Sequence, residues 1–205
     1  MKKIYYFLLL LCVATHTSAQ DRLEFKQLGF AIDAPKDWFK AQEDGLEQNL
    51  SKHDLTYEQR AAIIESLNAA SKLVTYYKYD LKKTEGIIPT INIVIRVTNA
   101  KSFLGFKTHI DKSINEMKKL LQNFEASEPK VLEIDNSKLW TISTNYDYKN
   151  AKGTTVKINT KVIYIYKGEY YITINFIEDK GKEDNSELFE ATIKSIKLTN
   201  VPLQK

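Results

Sequence analysis

Histidine and cysteine, the residues best suited to metal binding and nucleophilic chemistry, are scarce in this chain. Its 205 residues contain three histidines and one cysteine. Cys12 and His16 lie in an N-terminal segment that we predict to be removed, which leaves His53 and His109. A structural zinc site takes four His or Cys ligands, and no acidic residue lies at a motif spacing that would complete a mixed site. The sequence therefore predicts no metal site and no cofactor.

Catalytic motifs with a defined spacing are also missing. No serine occupies a Gly-x-Ser-x-Gly turn, and the seven glycines form neither a phosphate loop nor a dinucleotide-binding fingerprint. The 26 acidic residues include many carboxylates, but the sequence does not show which two would face each other for hydrolysis. We therefore predict no catalytic residue and a protein that is not an enzyme, with a hydrolase as the lesser alternative.

The N-terminus has the three-part layout of a secretory signal peptide. Lys2 and Lys3 precede an apolar run over residues 4–13, and small residues end at Ala19. The run is about ten residues long, whereas a membrane span needs roughly 20. We predict a signal peptide at 1–19, export to the periplasm or the medium, and no transmembrane segment after cleavage.

Two consequences follow from this cleavage. Cys12 would leave with the signal peptide, so the mature chain would have no disulfide; a lipid anchor through Cys12 is the lesser alternative, because Leu11 is not the small residue that lipidation sites prefer. Lys2 and Lys3 are two of the 30 basic residues, so 28 basic residues remain against 26 acidic ones. A protein that binds nucleic acid usually has a clustered basic surface. Because the charges here nearly balance, we predict no nucleic-acid partner.

Helical periodicity is clear at three places. Thr56 and Gln59 form a capping box before a predicted helix at 57–70. Ser102 precedes an amphipathic pattern at 103–125, and a third helix is predicted to begin near Asp184. Because no linker or repeat interrupts the pattern, residues 20–205 are predicted to form a single domain with an inserted helix at 45–70.

Period-two alternation dominates the rest of the chain, which predicts an α+β domain with a largely antiparallel sheet flanked by helices. The long strand at 153–166 changes character along its odd positions, from Lys157, Asn159 and Lys161 to Ile163 and Ile165. Its end near Tyr166 is therefore predicted to carry helices on both faces. The point where the apolar positions begin is a candidate binding edge.

Tyrosine is the remaining signal for a ligand. Nine of the 12 tyrosines lie in predicted strands, where the ring suits half-buried positions. They either pack the sheet or line a pocket between sheet and helix. We take Tyr146, Tyr148, Ile163 and Ile165 as the candidate binding residues.

Three segments resemble the PsbP-like fold family, which includes photosystem II PsbP and bacterial periplasmic DcrB-type proteins. They are the opening strand with its Pro and Trp at 29–38 (GFAIDAPKDW), the strand at 89–95 (PTINIVI) and the closing helix and strand at 189–198 (FEATIKSIKL). The segment at 45–70 departs from the family pattern. The resemblance implies an α/β/α sandwich that acts as a binding or assembly factor, and it transfers no ligand residues.

Together these observations predict an exported, non-catalytic binding or assembly module of the bacterial cell envelope that engages a protein partner. The alternative is a carrier of a small apolar ligand in a tyrosine-lined pocket.

Overall fold

Antiparallel strands make up most of the described structure. The computed structural model describes residues 21–41, 70–149 and 153–199. The strands are β1 (Arg22–Phe25), β2 (Phe30–Asp33), β3 (Phe39–Lys40), β4 (Ala70–Tyr77), β5 (Thr90–Val97), β6 (Gln122–Ala126), β7 (Lys130–Ile134), β8 (Ser137–Lys149), β9 (Thr155–Tyr166), β10 (Tyr170–Asp179) and β11 (Lys197–Leu198). The helices in these ranges are α1 (Phe103–Leu120) and α2 (Ser186–Lys194).

The strands form two sheets. The large sheet has the order β3-β4-β5-β10-β9-β8-β6, and β7 pairs with the first part of β8 on the same edge as β6. The small sheet has the order β1-β2-β11. Every pair is antiparallel, which confirms the predicted α+β class.

The β9–β10 hairpin lies at the centre of the large sheet. Ile163 pairs with Ile174 and Ile165 pairs with Ile172, and none of these four side chains is more than 1% exposed. Gly168 has φ +87° in the turn, a left-handed conformation that glycine adopts without steric cost. Each buried isoleucine stabilises the fold by about 2 kcal/mol relative to exposure.

One face of the large sheet packs against α2 and the small sheet. Phe189 and Ile193 of α2 and Phe30 and Ile32 of β2 join the isoleucines of the hairpin in one buried cluster. Trp38 packs against this cluster, with its ring edge toward Phe189 at 6.4 Å between centroids.

The opposite face packs against α1. Phe106, Ile110 and Ile114 of the helix form a second buried cluster with Trp140 and Ile142 of β8. These β8 residues pair with even-numbered positions of β9, whereas Ile163 and Ile165 are odd. A helix therefore packs against each face of the large sheet. Cover by helices on both faces at the Tyr166 end stays a prediction, since the bond from α2 to β9 is made at Lys161.

The end of α1 differs from the prediction. Ser102 caps the helix as expected, and its side chain accepts a hydrogen bond from Gly105 N. The helix ends at Leu120, however, and not at residue 125, because Leu121 is extended and β6 begins at Gln122. Phe124 therefore reaches the cluster beneath α1 from a strand that pairs with β8.

Some predicted elements fall on residues that are not described. The signal peptide at 1–19 lies outside the described ranges, as does the inserted helix at 45–70 except for Ala70, with which β4 begins. Within the described ranges, neither helix has the length and apolar character needed to cross a membrane.

Candidate functional site

The four predicted binding residues lie on two different faces of the large sheet. Ile163 and Ile165 are 0% and 1% exposed and pack in the cluster beneath α2. Tyr146 and Tyr148 pair with the even positions Ile158 and Val156 of β9, so their side chains lie on the α1 face. Ligand binding by these four residues stays a prediction, but one surface cannot use all of them.

Tyr146 is held in the sheet by aromatic packing. Its ring stacks on Phe124 with 6.5 Å between centroids. Burial, followed by the charge of Tyr148, raises the pKa of Tyr146 to about 12, because a buried phenolate would lose its hydration. Tyr146 therefore stays protonated and acts as an apolar packing residue over the physiological range of pH.

A groove opens on the α2 face at the predicted binding edge. It has a volume of about 250 Å³ and lies between α2 and strands β8, β9 and β10. We call it the α2 groove. The residues that define it are Asn159, Lys161, Phe176, Glu178, Phe189 and Glu190.

The strand pairing fixes the sheet side of the α2 groove. Lys161 is paired with Phe176, and Asn159 is paired with Glu178. Residues paired across antiparallel strands have Cβ atoms about 5 Å apart on the same face. The four side chains therefore form one compact patch, next to Ile163 on the same face of the sheet.

The floor of the α2 groove is aromatic and rigid. Phe176 and Phe189 are 0% and 5% exposed, and their ring centroids lie 4.8 Å apart. Trp38 packs on Phe189 from the other side. Because three rings support one another, the floor is preorganised.

The rim of the α2 groove is charged. Lys161 Nζ donates to Glu190 Oε1 and links the strand to the helix. Glu178 is only 7% exposed, and its Oε2 accepts hydrogen bonds from both the backbone N and Nδ2 of Asn185, each at 3.0 Å. Hydrogen-bond donors of this kind stabilise a buried carboxylate.

Asn185 is also held by Lys78, which forms an ion pair with Glu183. Lys78 Nζ donates to Asn185 Oδ1 at 2.7 Å and also to Glu183 Oε2. Burial lowers the pKa of Lys78, but the hydrogen bond and the charge of Glu183 outweigh this effect, so the pKa is raised. The chain of contacts from Lys78 through Asn185 to Glu178 fixes the start of α2.

A smaller cavity lies under α1 on the opposite face. It has a volume of about 170 Å³, and its lining includes Phe106, His109, Glu116, Tyr164 and Tyr171. We call it the tyrosine cavity. Burial raises the pKa of Tyr164 to about 12, with a further increase from Tyr171 and a decrease from Arg96. The tyrosine cavity is lined by Tyr164 and Tyr171. The carrier hypothesis requires a cavity lined by tyrosines, but the predicted pair was Tyr146 and Tyr148.

The α2 groove lies beside the predicted binding edge, but none of the four candidate residues lines it. Glu178 and Phe176 share the face of Lys161, yet only the register between β9 and β10 reveals this. Glu190 reaches the groove because α2 turns back over the sheet. Among the described residues, no three His, Cys, Asp or Glu side chains come together in a way that could hold a metal ion.

The sheet, with α1 on one face and α2 on the other, has the PsbP-like α+β fold, which confirms the resemblance. The solved structure of cyanobacterial PsbP from Synechocystis sp. PCC 6803 matches with a TM-score of 0.51 and 12% identity, over 87% of this chain and 92% of that one. At this identity the likeness shows the fold alone.

Two further structures match more weakly. LpqN, involved in cell envelope biogenesis of Mycobacterium tuberculosis, has 12% identity and a TM-score of 0.46, over 90% of this chain and 88% of its own. The Saccharomyces cerevisiae Ran-binding protein Mog1p has 10% identity and a TM-score of 0.44, over 87% and 94%. Neither score supports an argument about function. No protein-family model and no curated protein matches the sequence.

Proposed function

We propose that this protein is an exported, non-catalytic binding module of the bacterial cell envelope that engages a protein partner through the α2 groove. The observation that carries the proposal is the composition of this groove, which combines a rigid aromatic floor with a rim of charged and polar side chains. Such a combination of a buried apolar anchor point and a polar rim is typical of protein interfaces.

Its size favours a protein side chain over a free ligand. Small-molecule sites usually enclose about 300–1,000 Å³, whereas the α2 groove has about 250 Å³. A partner that inserts one side chain there and contacts the rim with its backbone needs no larger cavity. Export is supported by the N-terminal sequence pattern alone.

The carrier of a small apolar ligand is the second candidate. The tyrosine cavity supports it, because Phe106, Tyr164 and Tyr171 provide aromatic walls. Its volume of about 170 Å³ is well below the usual range for ligand sites. A hydrolase remains the lesser alternative: in the described residues Glu190 Oε1 is held by Lys161 and Glu178 Oε2 by Asn185, so each carboxylate already has a structural partner on one oxygen.

Photo-crosslinking in the producing bacterium tests the proposal. A photoreactive amino acid placed at position 159, on the rim of the α2 groove, should give a discrete adduct with one envelope protein. The matched control is position 118, because Lys118 is exposed on α1 at the other face of the sheet. The adduct should form at position 159 and not at 118.

A second variant makes the experiment specific for the groove. Glu190→Arg reverses the charge of a half-exposed rim residue and should abolish the adduct at position 159 while the protein stays folded. Equal crosslinking at both positions, or an adduct that survives Glu190→Arg, would contradict binding through the α2 groove.

A further inference from the structure

The α2 groove has an excess of negative charge. Glu178 and Glu190 both line it, and Lys161 is the cation that lines it with them. Lys161 is paired with Glu190. In the described residues Glu178 forms no ion pair, since its two hydrogen bonds come from the neutral groups of Asn185.

Glu178 also has an oxygen available. Its Oε2 accepts both bonds from Asn185. Its Oε1 accepts no hydrogen bond from the described residues and is not among their fully buried, unpartnered atoms, so it keeps some accessible surface, and Glu178 lines the groove. Glu178 as a residue is 7% exposed, and Lys78 reaches it only through Asn185, so a cationic partner would supply the direct ion pair that the described residues do not give it.

The floor of the groove fits the rest of a basic side chain. Phe176 and Phe189 lie next to Glu178 and Glu190 in the same groove. Arginine and lysine bury an apolar stem while their charged end stays polar, and a guanidinium also stacks on aromatic rings. A guanidinium offers five donors in a planar fork, which suits a groove that two glutamates line.

We propose that the α2 groove binds a basic side chain, arginine foremost, that a protein partner presents. The stem packs over Phe189 at the floor of the groove, and the guanidinium donates to Glu178 Oε1 and competes with Lys161 for Glu190. This inference rests on the proposed function and names the chemistry of the partner.

Titration of the isotope-labelled protein with N-acetyl-L-arginine amide, followed by NMR, tests the inference. Saturable shifts should appear at the amides of Asn159, Phe189 and Glu190. N-acetyl-L-citrulline amide is the matched control, because it has nearly the same shape without the charge, and it should cause no saturable shift there. Equal responses to the two compounds, or arginine shifts confined to other surfaces, would overturn the proposal.

Two variants give opposite expectations. Glu178→Gln keeps an acceptor for Asn185 and should weaken arginine amide binding about tenfold, the effect of losing a hydrogen bond between charged groups. Lys161→Met frees Glu190 and should strengthen binding about two- to fivefold, the range for a partly exposed ion pair. An unchanged affinity in Glu178→Gln, or a weaker one in Lys161→Met, would overturn the assignment, and amide spectra of both variants establish that they are folded.

The outcome is separable from that of the crosslinking experiment. If the adduct at position 159 forms but arginine amide does not bind, the basic side chain is wrong and the protein interface stands. If arginine amide binds with the predicted dependence on Glu178 but no adduct forms, the charge recognition stands and the envelope partner is wrong.

Discussion

Glu178 accepts two hydrogen bonds from Asn185, one from the backbone N and one from Nδ2, each 3.0 Å long. Glu178 is the second-last residue of β10, and Asn185 directly precedes α2. The pair therefore connects the centre of the large sheet to the helix that forms one wall of the α2 groove. A change at Glu178 consequently affects both the position of α2 and the charge of the groove.

The contribution of this pair to stability can be measured. Glu178→Ala leaves two buried donors of Asn185 without an acceptor, which should lower the free energy of unfolding by about 2–3 kcal/mol. Glu190→Ala is the control, since Glu190 is 51% exposed and its loss should cost less than about 1 kcal/mol. Urea denaturation of both variants gives the values, and similar small losses would contradict a structural role for Glu178.

Packing, as opposed to ligand contact, should dominate the effect of changing Ile163. This side chain is 0% exposed in the cluster beneath α2, so Ile163→Ala should cost about 2–5 kcal/mol. Val131→Ala is a suitable control because Val131 is 48% exposed at the edge strand β7 and should change stability by about 0.5 kcal/mol at most. A stable Ile163→Ala variant that loses partner binding would restore Ile163 as a contact residue.

The sequence predicted the fold better than the site because alternation within a strand is local information. Ile163 and Ile165 lie on one face of the strand and Tyr164 and Tyr166 on the other. Because all four are apolar or aromatic, the strand alone indicates that both faces are covered. The register between strands is not local. Tyr146 and Ile163 were therefore grouped as one site, although β8 pairs with β9 so that they lie on opposite faces.

Two other differences have similar causes. Phe124 continues the helical spacing of α1, and the pairing of β6 with β8 that ends the helix at Leu120 is a long-range contact. Glu178 and Glu190 are separated by a loop and the start of α2, so their common groove appears only in three dimensions. The change between Lys161 and Ile163 in a single strand predicts a binding edge, and the groove includes Lys161 but none of the four candidate residues.

The proposed export makes a prediction about the mature N-terminus. Cleavage after Ala19 should give a protein that begins at Gln20 and lacks Cys12, which N-terminal sequencing and the intact mass of the envelope-purified protein would show. Ala19→Leu replaces the small residue that signal peptidase requires and should leave an uncleaved precursor. A mature chain that retains Cys12 with the added mass of a lipid would instead support membrane anchoring.

Stability should decrease at high pH because two partly buried tyrosines resist ionisation. Burial raises the pKa of Tyr146 and of Tyr164 from 10.0 to about 12. Between these pH values the unfolded chain loses protons that the folded chain keeps, so stability present below pH 10 is lost as the pH rises toward 12. Tyr146 alone should account for about 2 kcal/mol of this loss at about pH 11.5.

Tyr146→Phe separates this effect from general alkaline unfolding. Phenylalanine keeps the stacking on Phe124 and has no proton to lose, so the variant should lose about 2 kcal/mol less than the wild type between about pH 8 and 11.5. Tyr79→Phe is the control for the removal of a tyrosine hydroxyl elsewhere in the protein, because Tyr79 is 41% exposed. Urea denaturation at several pH values measures the slopes. Parallel slopes for the wild type and Tyr146→Phe would mean that Tyr146 ionises freely in the folded protein, and that its ring is more accessible on the α1 face than its packing indicates.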